Sequence, residues 1–342
     1  MSLPEQSHRA LITGLSGQDG SFLAELLLEK GYQVTGMVRN GSADRLGSSH
    51  HLRDRVAVVG GDLLEAESLI GAVAGTQPDE LYHLAAPSFV PEAWKDPSRT
   101  IAAIAGSTAT LLQAVREHSP NTRVFLAASA AMFGSVTESP QHEETPCRPD
   151  NPYATAKLAA HQLIGQLRER EGLHACSGIL YNHESERRSE RFVSRKISRT
   201  VAAIRLGLAH EVVLGDLEAV RDWSFVGDIM LGAWMMLQQD EPADYILASG
   251  IPHTVRELAD LAFSQVGLNA RDHIRVDPDL VRAAESAPLI GDPARARDRM
   301  GWRPAVGFEE LVRRMVEADM VALSSSAASS RPSSRVRPPV AR

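Results

Sequence analysis

The chain has 342 residues, 43% hydrophobic and 23% charged, with a formal net charge of −7. That length suits two domains, or one large domain with a smaller lobe, and it buries a core without staples or metals. The negative charge argues against broad capture of nucleic acid, and no apolar run nears the about 20 residues of a membrane span.

Polar residues 1–7 form a short extension that leads straight into an apolar strand, with no signal-peptide core. Cys147 and Cys176 allow one bridge at most and match no zinc spacing. A reduced, cytoplasmic setting without membrane contact is expected. Strands are predicted at residues 10–13, 33–38, 56–60, 80–84 and 124–128. Helices fall between them at 21–30, 66–74 and 107–117. Apolar strands alternating with helices imply a parallel sheet covered on both faces, a Rossmann-type doubly wound α/β fold. After a run at 178–181 the alternation breaks. Helices follow at 191–208, 228–238 and 255–266, with a short strand at 245–248 and a final amphipathic helix at 308–323. The expected organisation is a dinucleotide-binding domain over 8–181, to which some later segments return. A smaller α/β substrate lobe takes most of 182–323. Residues 324–342, rich in Ser, Ala, Pro and Arg, read as a disordered tail.

The first strand runs into Gly14-Leu15-Ser16-Gly17-Gln18-Asp19-Gly20 and then a helix. Gly14 permits a tight turn, Gly17 lets the backbone approach a pyrophosphate, and Gly20 lets helix pack on strand. The helix N-terminus then faces the phosphates. Placed between the first strand and the first helix, the pattern points to a dinucleotide. NAD enzymes usually carry an acid after the second strand to hold the ribose hydroxyls. This chain has Arg39, which can pair with a 2′-phosphate, so NADP is favoured over NAD. Asp62, with Leu63 beside it, follows the third strand, where it can contact adenine or cap a helix.

Tyr153 and Lys157 lie four apart, on one face of a helix. A cation beside a phenol lowers its pKa, and the phenolate can then take a proton from a sugar hydroxyl as hydride leaves. Ser129, at the end of the fifth strand, can hydrogen-bond the same hydroxyl.

These features resemble the extended short-chain dehydrogenases that modify nucleotide sugars, over about residues 8–323. Within that group the chain looks most like the GDP-mannose 4,6-dehydratases. The resemblance rests on the glycine loop and on Asn182-His183-Glu184-Ser185, Phe192-Val193-Ser194-Arg195-Lys196 and Arg221-Asp222-Trp223. Later Leu289-Ile290-Gly291-Asp292-Pro293 and Gly301-Trp302-Arg303-Pro304 add to it. It implies a GDP-sugar substrate and a homodimer or homotetramer. It also implies cofactor contacts from Gln18, Asp19, Asp62, Leu63, Tyr153 and Lys157. Substrate contacts would come from Ser88, Glu92, Asn182, Val193, Lys196, Arg221, Arg282 and Glu285. His183 is expected to line the site or to be a hydrogen-bonded core residue rather than a metal ligand, and Trp302 to pack the last helix on the lobe.

One departure matters. The resemblance puts a glutamate, the acid–base catalyst of water elimination, two residues after Ser129, where this chain has Ala131. Three readings follow: dehydration using water or a displaced acid, Glu92 before Glu143 or Glu144; C4 epimerisation; or reduction of a 4-keto sugar. Ser129-Ala130-Ala131-Met132-Phe133-Gly134 resembles UDP-galactose 4-epimerases, and residues 89–97 resemble GDP-4-keto-6-deoxy-mannose reductases. A binder without turnover is a fourth reading, against which Tyr153 and Lys157 argue.

Overall fold

The computed structural model describes residues 7–280 and 287–329. In β1 (Arg9–Thr13) four of five residues are buried. Ala10 and Ile12 enter one apolar cluster and Leu11 another, so this strand needs cover on both faces. α1 (Gln18–Glu29) supplies the first face with Leu23, Ala24 and Leu27. It begins three residues earlier than expected because Gly17 is extended and serves as its N-cap. Gln18, Asp19 and Gly20 therefore sit in the first helical turn, not in the loop.

β2 (Gln33–Val38), β3 (Ala57–Gly60) and α2 (Ala66–Thr76) follow. Then come β4 (Glu80–His83), the single turn α3 (Val90–Ala93), and α4 (Pro97–Ile101). A π-helical turn, Ala102–Gly106, joins α4 to α5 (Ser107–His118). β5 (Arg123–Ala127), α6 (Pro152–Glu171) and β6 (Ala175–Leu180) complete the alternating half.

The lobe opens with β7 (Asn182–Glu184) and α7 (Val193–Arg205). β8 (Val212–Leu214), β9 (Val220–Phe225) and α8 (Val226–Leu237) come next. β10 (Tyr245–Leu247) pairs in parallel with β6, so the chain returns to the main sheet. The seven strands run β10-β6-β5-β4-β1-β2-β3. β11 (Pro252–Thr254), β9 and β7 form a second sheet, and β12 (Ile274–Val276) pairs with β8. α9 (Val255–Gln265) and α7 pack around a separate core with α11 (Phe308–Ser329).

Two expectations are corrected. Trp302, after α10 (Ala294–Met300), does not pack the last helix on the lobe. It joins the cluster on the main sheet, beside Gly232 and Leu247, and donates to the Asp228 carbonyl at 2.9 Å. The reason is that α8 and β10, though late in the chain, belong to that sheet. Residues 324–329, expected to be disordered, continue α11 as helix. The run of Ser and Ala there lacks Pro, which first enters at residue 332, so no residue breaks the helix. The rest of the expected tail lies outside the described residues.

α11 is fastened to α7 through Asp319, which is fully buried. Its carboxylate accepts from Ser198 Oγ at 2.7 Å and pairs with Arg195, with Arg199 at 3.7 Å. Removing one member of a buried pair leaves a charge without compensation. Asp319→Ala should therefore lower the unfolding free energy by about 3–5 kcal/mol, seen as an earlier denaturant midpoint.

Candidate active site

The order of strands reverses between β4 and β1, which opens a crevice at their carboxyl ends. Two chain segments rise on either side of it. After β1, Gly14 takes φ +80°, and a side chain there would crowd the Ala85 amide at 2.9 Å. Gly20 packs so tightly on the loop that a Cβ would overlap the Gly14 carbonyl oxygen. The first N–H groups of α1 have no partner inside the helix, and Gly17 has no side chain to cap them. A close backbone approach that a Cβ would fill, ending on an uncapped helix, fits a pyrophosphate. Arg39 is exposed at the end of β2 and Asp62 lies after β3, on the same edge of the sheet. Asp62 Oδ1 accepts from the Leu64 amide at 3.0 Å, which closes a local turn; the cap position of α2 belongs to Glu65. Leu63 packs partly against the apolar cluster.

The helix end is clasped to the lobe. Gln18 Nε2 donates to the His183 carbonyl at 3.1 Å, and Ser185 Oγ donates to Gln18 Oε1 at 2.8 Å. His183 Nδ1 donates to the Tyr181 carbonyl at 2.7 Å, and its Nε2 lies 3.0 Å from Asp19 Oδ2. Both ring nitrogens thus face acceptors, which suits an imidazolium. Burial pulls the His183 pKa down, but the Asp19 carboxylate outweighs it and leaves it raised. Burial pushes Asp19 up, and His183 and Arg188 hold it well below the usual carboxylate range.

At the other end of the crevice, Asn151 caps α6 through the Ala154 amide at 3.0 Å. Tyr153 and Lys157 follow in the first two turns, both buried. Lys157 Nζ lies 5.9 Å from the Tyr153 ring centre and donates to the Ala127 carbonyl at 2.5 Å. Burial lowers the Lys157 pKa to about 8, with Asp19 acting against it. The expected lowering of the phenol pKa by Lys157 is not what the chain alone shows. Burial raises Tyr153 above its ordinary value, while a hydrogen bond from Ser129 and the charge of Arg188 pull the other way. Ser129 also caps the turn Ala130–Phe133, accepting from the Ala131 amide at 3.2 Å.

The residues expected at the nucleotide end fall on the lobe. Asn182 pairs with Trp223 across β7 and β9, and Arg221 pairs with His253 across β9 and β11. Arg221 donates to its neighbour's carbonyl, Val220, at 2.6 Å. Val193 opens α7 and Lys196 lies one turn on. A bond from Ser194 Oγ to Glu184 Oε2 at 2.6 Å ties that turn to β7. Arg282 and Glu285 lie outside the described residues. Ser88 and Glu92 are exposed after β4. Glu92 pairs with Arg191 at 2.5 Å, which lowers its pKa. Glu143 accepts from the Ile246 amide at 2.9 Å, and Glu144 pairs with Arg295.

Arg188 is a site residue the sequence reading did not single out. Its guanidinium stacks 3.6 Å from the Phe192 ring centre, pairs with Glu184 at 3.1 Å and acts on Tyr153. The available signal was its position four residues after Glu184.

The GDP-mannose 4,6 dehydratase family model matches residues 11–315. GDP-mannose 4,6 dehydratase 1 of Arabidopsis thaliana is 43% identical, over 91% of this chain and 89% of its own length. GDP-mannose 4,6-dehydratase of Yersinia enterocolitica is 40% identical, over 91% of this chain and 94% of its own. Among solved structures, RMD from Pseudomonas aeruginosa, complexed with NADPH, aligns with a TM-score of 0.78 at 29% identity, over 92% of this chain and 100% of its own.

Burial opposes the charge on Lys157. Lys157→Met should cut turnover by about 10²–10⁴-fold while the thermal midpoint holds or rises. In the unaltered protein, Lys157 discharges near pH 8 when folded and near its ordinary 10.5 when unfolded. The unfolded state binds more protons between those values, so this residue's contribution to stability should increase with pH across that window in thermal melts.

Proposed function

Since the chain belongs to the GDP-mannose 4,6-dehydratase family, we propose that it oxidises C4 of a GDP-hexose, GDP-mannose first among candidates, with NADP as cofactor. The observation that carries this is Tyr153, Lys157 and Ser129 gathered at one end of the crevice whose other end is the glycine loop. When bound, the nicotinamide supplies a reversible hydride acceptor. Tyr153 takes the proton from the C4 hydroxyl, and Ser129 holds that oxygen. Lys157, charged below pH about 8, favours the phenolate as it forms. Arg39 suits the 2′-phosphate of NADP. Asn182, Lys196 and Arg221 would receive the diphosphate and base, with Val193 packing beside them; Arg282 and Glu285 belong to the same expectation. A homo-oligomer in the cytoplasm remains part of the reading. Among the described residues, no helix is long and apolar enough to cross a membrane.

After C4 oxidation, dehydration removes the C5 proton and expels the C6 hydroxyl with a proton, as water; the hydride taken from C4 would then return to C6 and a solvent proton add at C5, so the net change is loss of one water. Ala131 offers a methyl group where the resemblance calls for a carboxylate. The same observation favours a second reading, C4 oxidation and reduction without loss of water. Glu143 and Glu144 are tied to Ile246 and Arg295; Glu92 is held by Arg191 but exposed, and would have to leave that pair to replace the missing carboxylate.

Mass spectrometry of GDP-mannose incubated with the protein and NADP should show loss of one water. In deuterated water, the product should carry deuterium at C5. Ala131→Glu should speed the elimination by about 10²–10⁴-fold, and Glu92→Gln should slow it in the unaltered background. Unchanged mass, with interconversion at C4, would move the assignment to the second reading.

A further inference from the structure

Thr13 and His83 are the last partners in the register of β1 and β4. They therefore form the floor of the crevice at the point where strand order reverses. Thr13 Oγ1 lies 3.1 Å from the Leu84 amide, 3.1 Å from the Ala85 amide and 2.8 Å from His83 Nδ1. A backbone N–H can only donate, so the hydroxyl accepts twice. Its own proton has one place left to go, the lone pair on Nδ1. His83 is then neutral, with its proton on Nε2, facing Ser107 Oγ at 3.2 Å. Ser107 in turn donates to the Ala103 carbonyl at 2.8 Å, inside the π-helical turn. The chain of bonds runs one way, from the amides after β4 to the turn that joins α4 and α5.

The imidazole has no room for a second proton. A proton on Nδ1 would meet a hydroxyl whose lone pairs are already used. Burial and the nearby charge of Lys157 both oppose it and hold the His83 pKa down to about 3. The ring is thus a fixed connector rather than a proton carrier.

The amides at its upper end matter to a ligand. Leu84 and Ala85 flank Gly14, at the distance where a Cβ would collide. We infer that His83 is a positioning residue for the dinucleotide: by orienting the Thr13 hydroxyl it holds the Leu84–Ala85 backbone against the glycine loop. This rests on the assignment of the crevice to a nicotinamide cofactor.

Two substitutions separate the ends of the ring. In His83→Asn the side-chain oxygen reaches the Nδ1 position and can still accept from Thr13, while the bond to Ser107 is lost. In His83→Gln the side-chain nitrogen reaches the Nε2 position and keeps Ser107, while Thr13 loses its acceptor. Isothermal titration with NADPH should show His83→Gln weakened about 3–10-fold, the scale of one hydrogen bond, and His83→Asn within about twofold of the unaltered chain. GDP affinity should stay unchanged in both, and both should melt earlier by similar amounts. Equal loss of NADPH affinity in the two variants, or a parallel loss of GDP affinity, would reduce His83 to a packing residue and overturn the inference. So would unaltered NADPH binding in a folded His83→Gln. Failure of the unaltered chain to bind either NADPH or NADH would instead overturn the cofactor assignment, and the inference with it.

Discussion

The clasp between the start of α1 and β7 is the contact on which the site depends. Gln18 and Asp19 come from the first turn of α1, and His183 and Ser185 from the first segment of the lobe. Backbone, amide, hydroxyl and charge are all used, and each has a partner. A buried charged pair with that many hydrogen bonds is costly to break by halves. The cleft between sheet and lobe is thereby set at its base, where a sugar nucleotide would have to meet a dinucleotide.

From that base the charges spread toward the reacting end. Asp19 faces His183 and Arg188, and also acts on Lys157 and Tyr153. One carboxylate thus connects the glycine-loop end to the phenol. Tyr153 feels it as an unfavourable neighbour, and Arg188 as a favourable one acts against it. The phenol of the chain alone is poorly ionised, because burial dominates. In the function proposed above, this phenol is a base whose activation depends on what else enters the crevice.

Much of the architecture was legible in the amino-acid pattern. The second strand occupies residues 33–38, as its apolar run predicts, and the alternation through residue 127 predicts the parallel order. Tyr153 and Lys157 share a face because helical spacing requires it. What stayed hidden depends on distant contacts. Later segments are expected to return to the first domain, and β10 does so, but no local period marks Trp302 as packing on that sheet. Arg188 matters only once the segment after β7 is folded against α6. His83 reads as the end of an apolar strand, and its two bonds reach residues 70 positions before and 24 after it. The helix runs on through Ser329 although its Ser-rich composition reads as loop, because a helix already under way meets no Pro there.

The return of β10 to the edge of β6 also bears on how the molecule is made. A ribosome releases β6 before residues 182–244 have emerged, and those residues build most of another layer before the last strand arrives. Until then, β6 presents a free row of peptide groups, a template for mispairing. The nascent chain therefore passes through a stage in which six strands are in hand and β6, like β3 at the far side, is an open edge. Its exposure ends when Tyr245, Ile246 and Leu247 dock beside Gly178, Ile179 and Leu180. For this fold, the interval between those two segments is the time during which β6 has to stand as an edge that its finished sheet does not have.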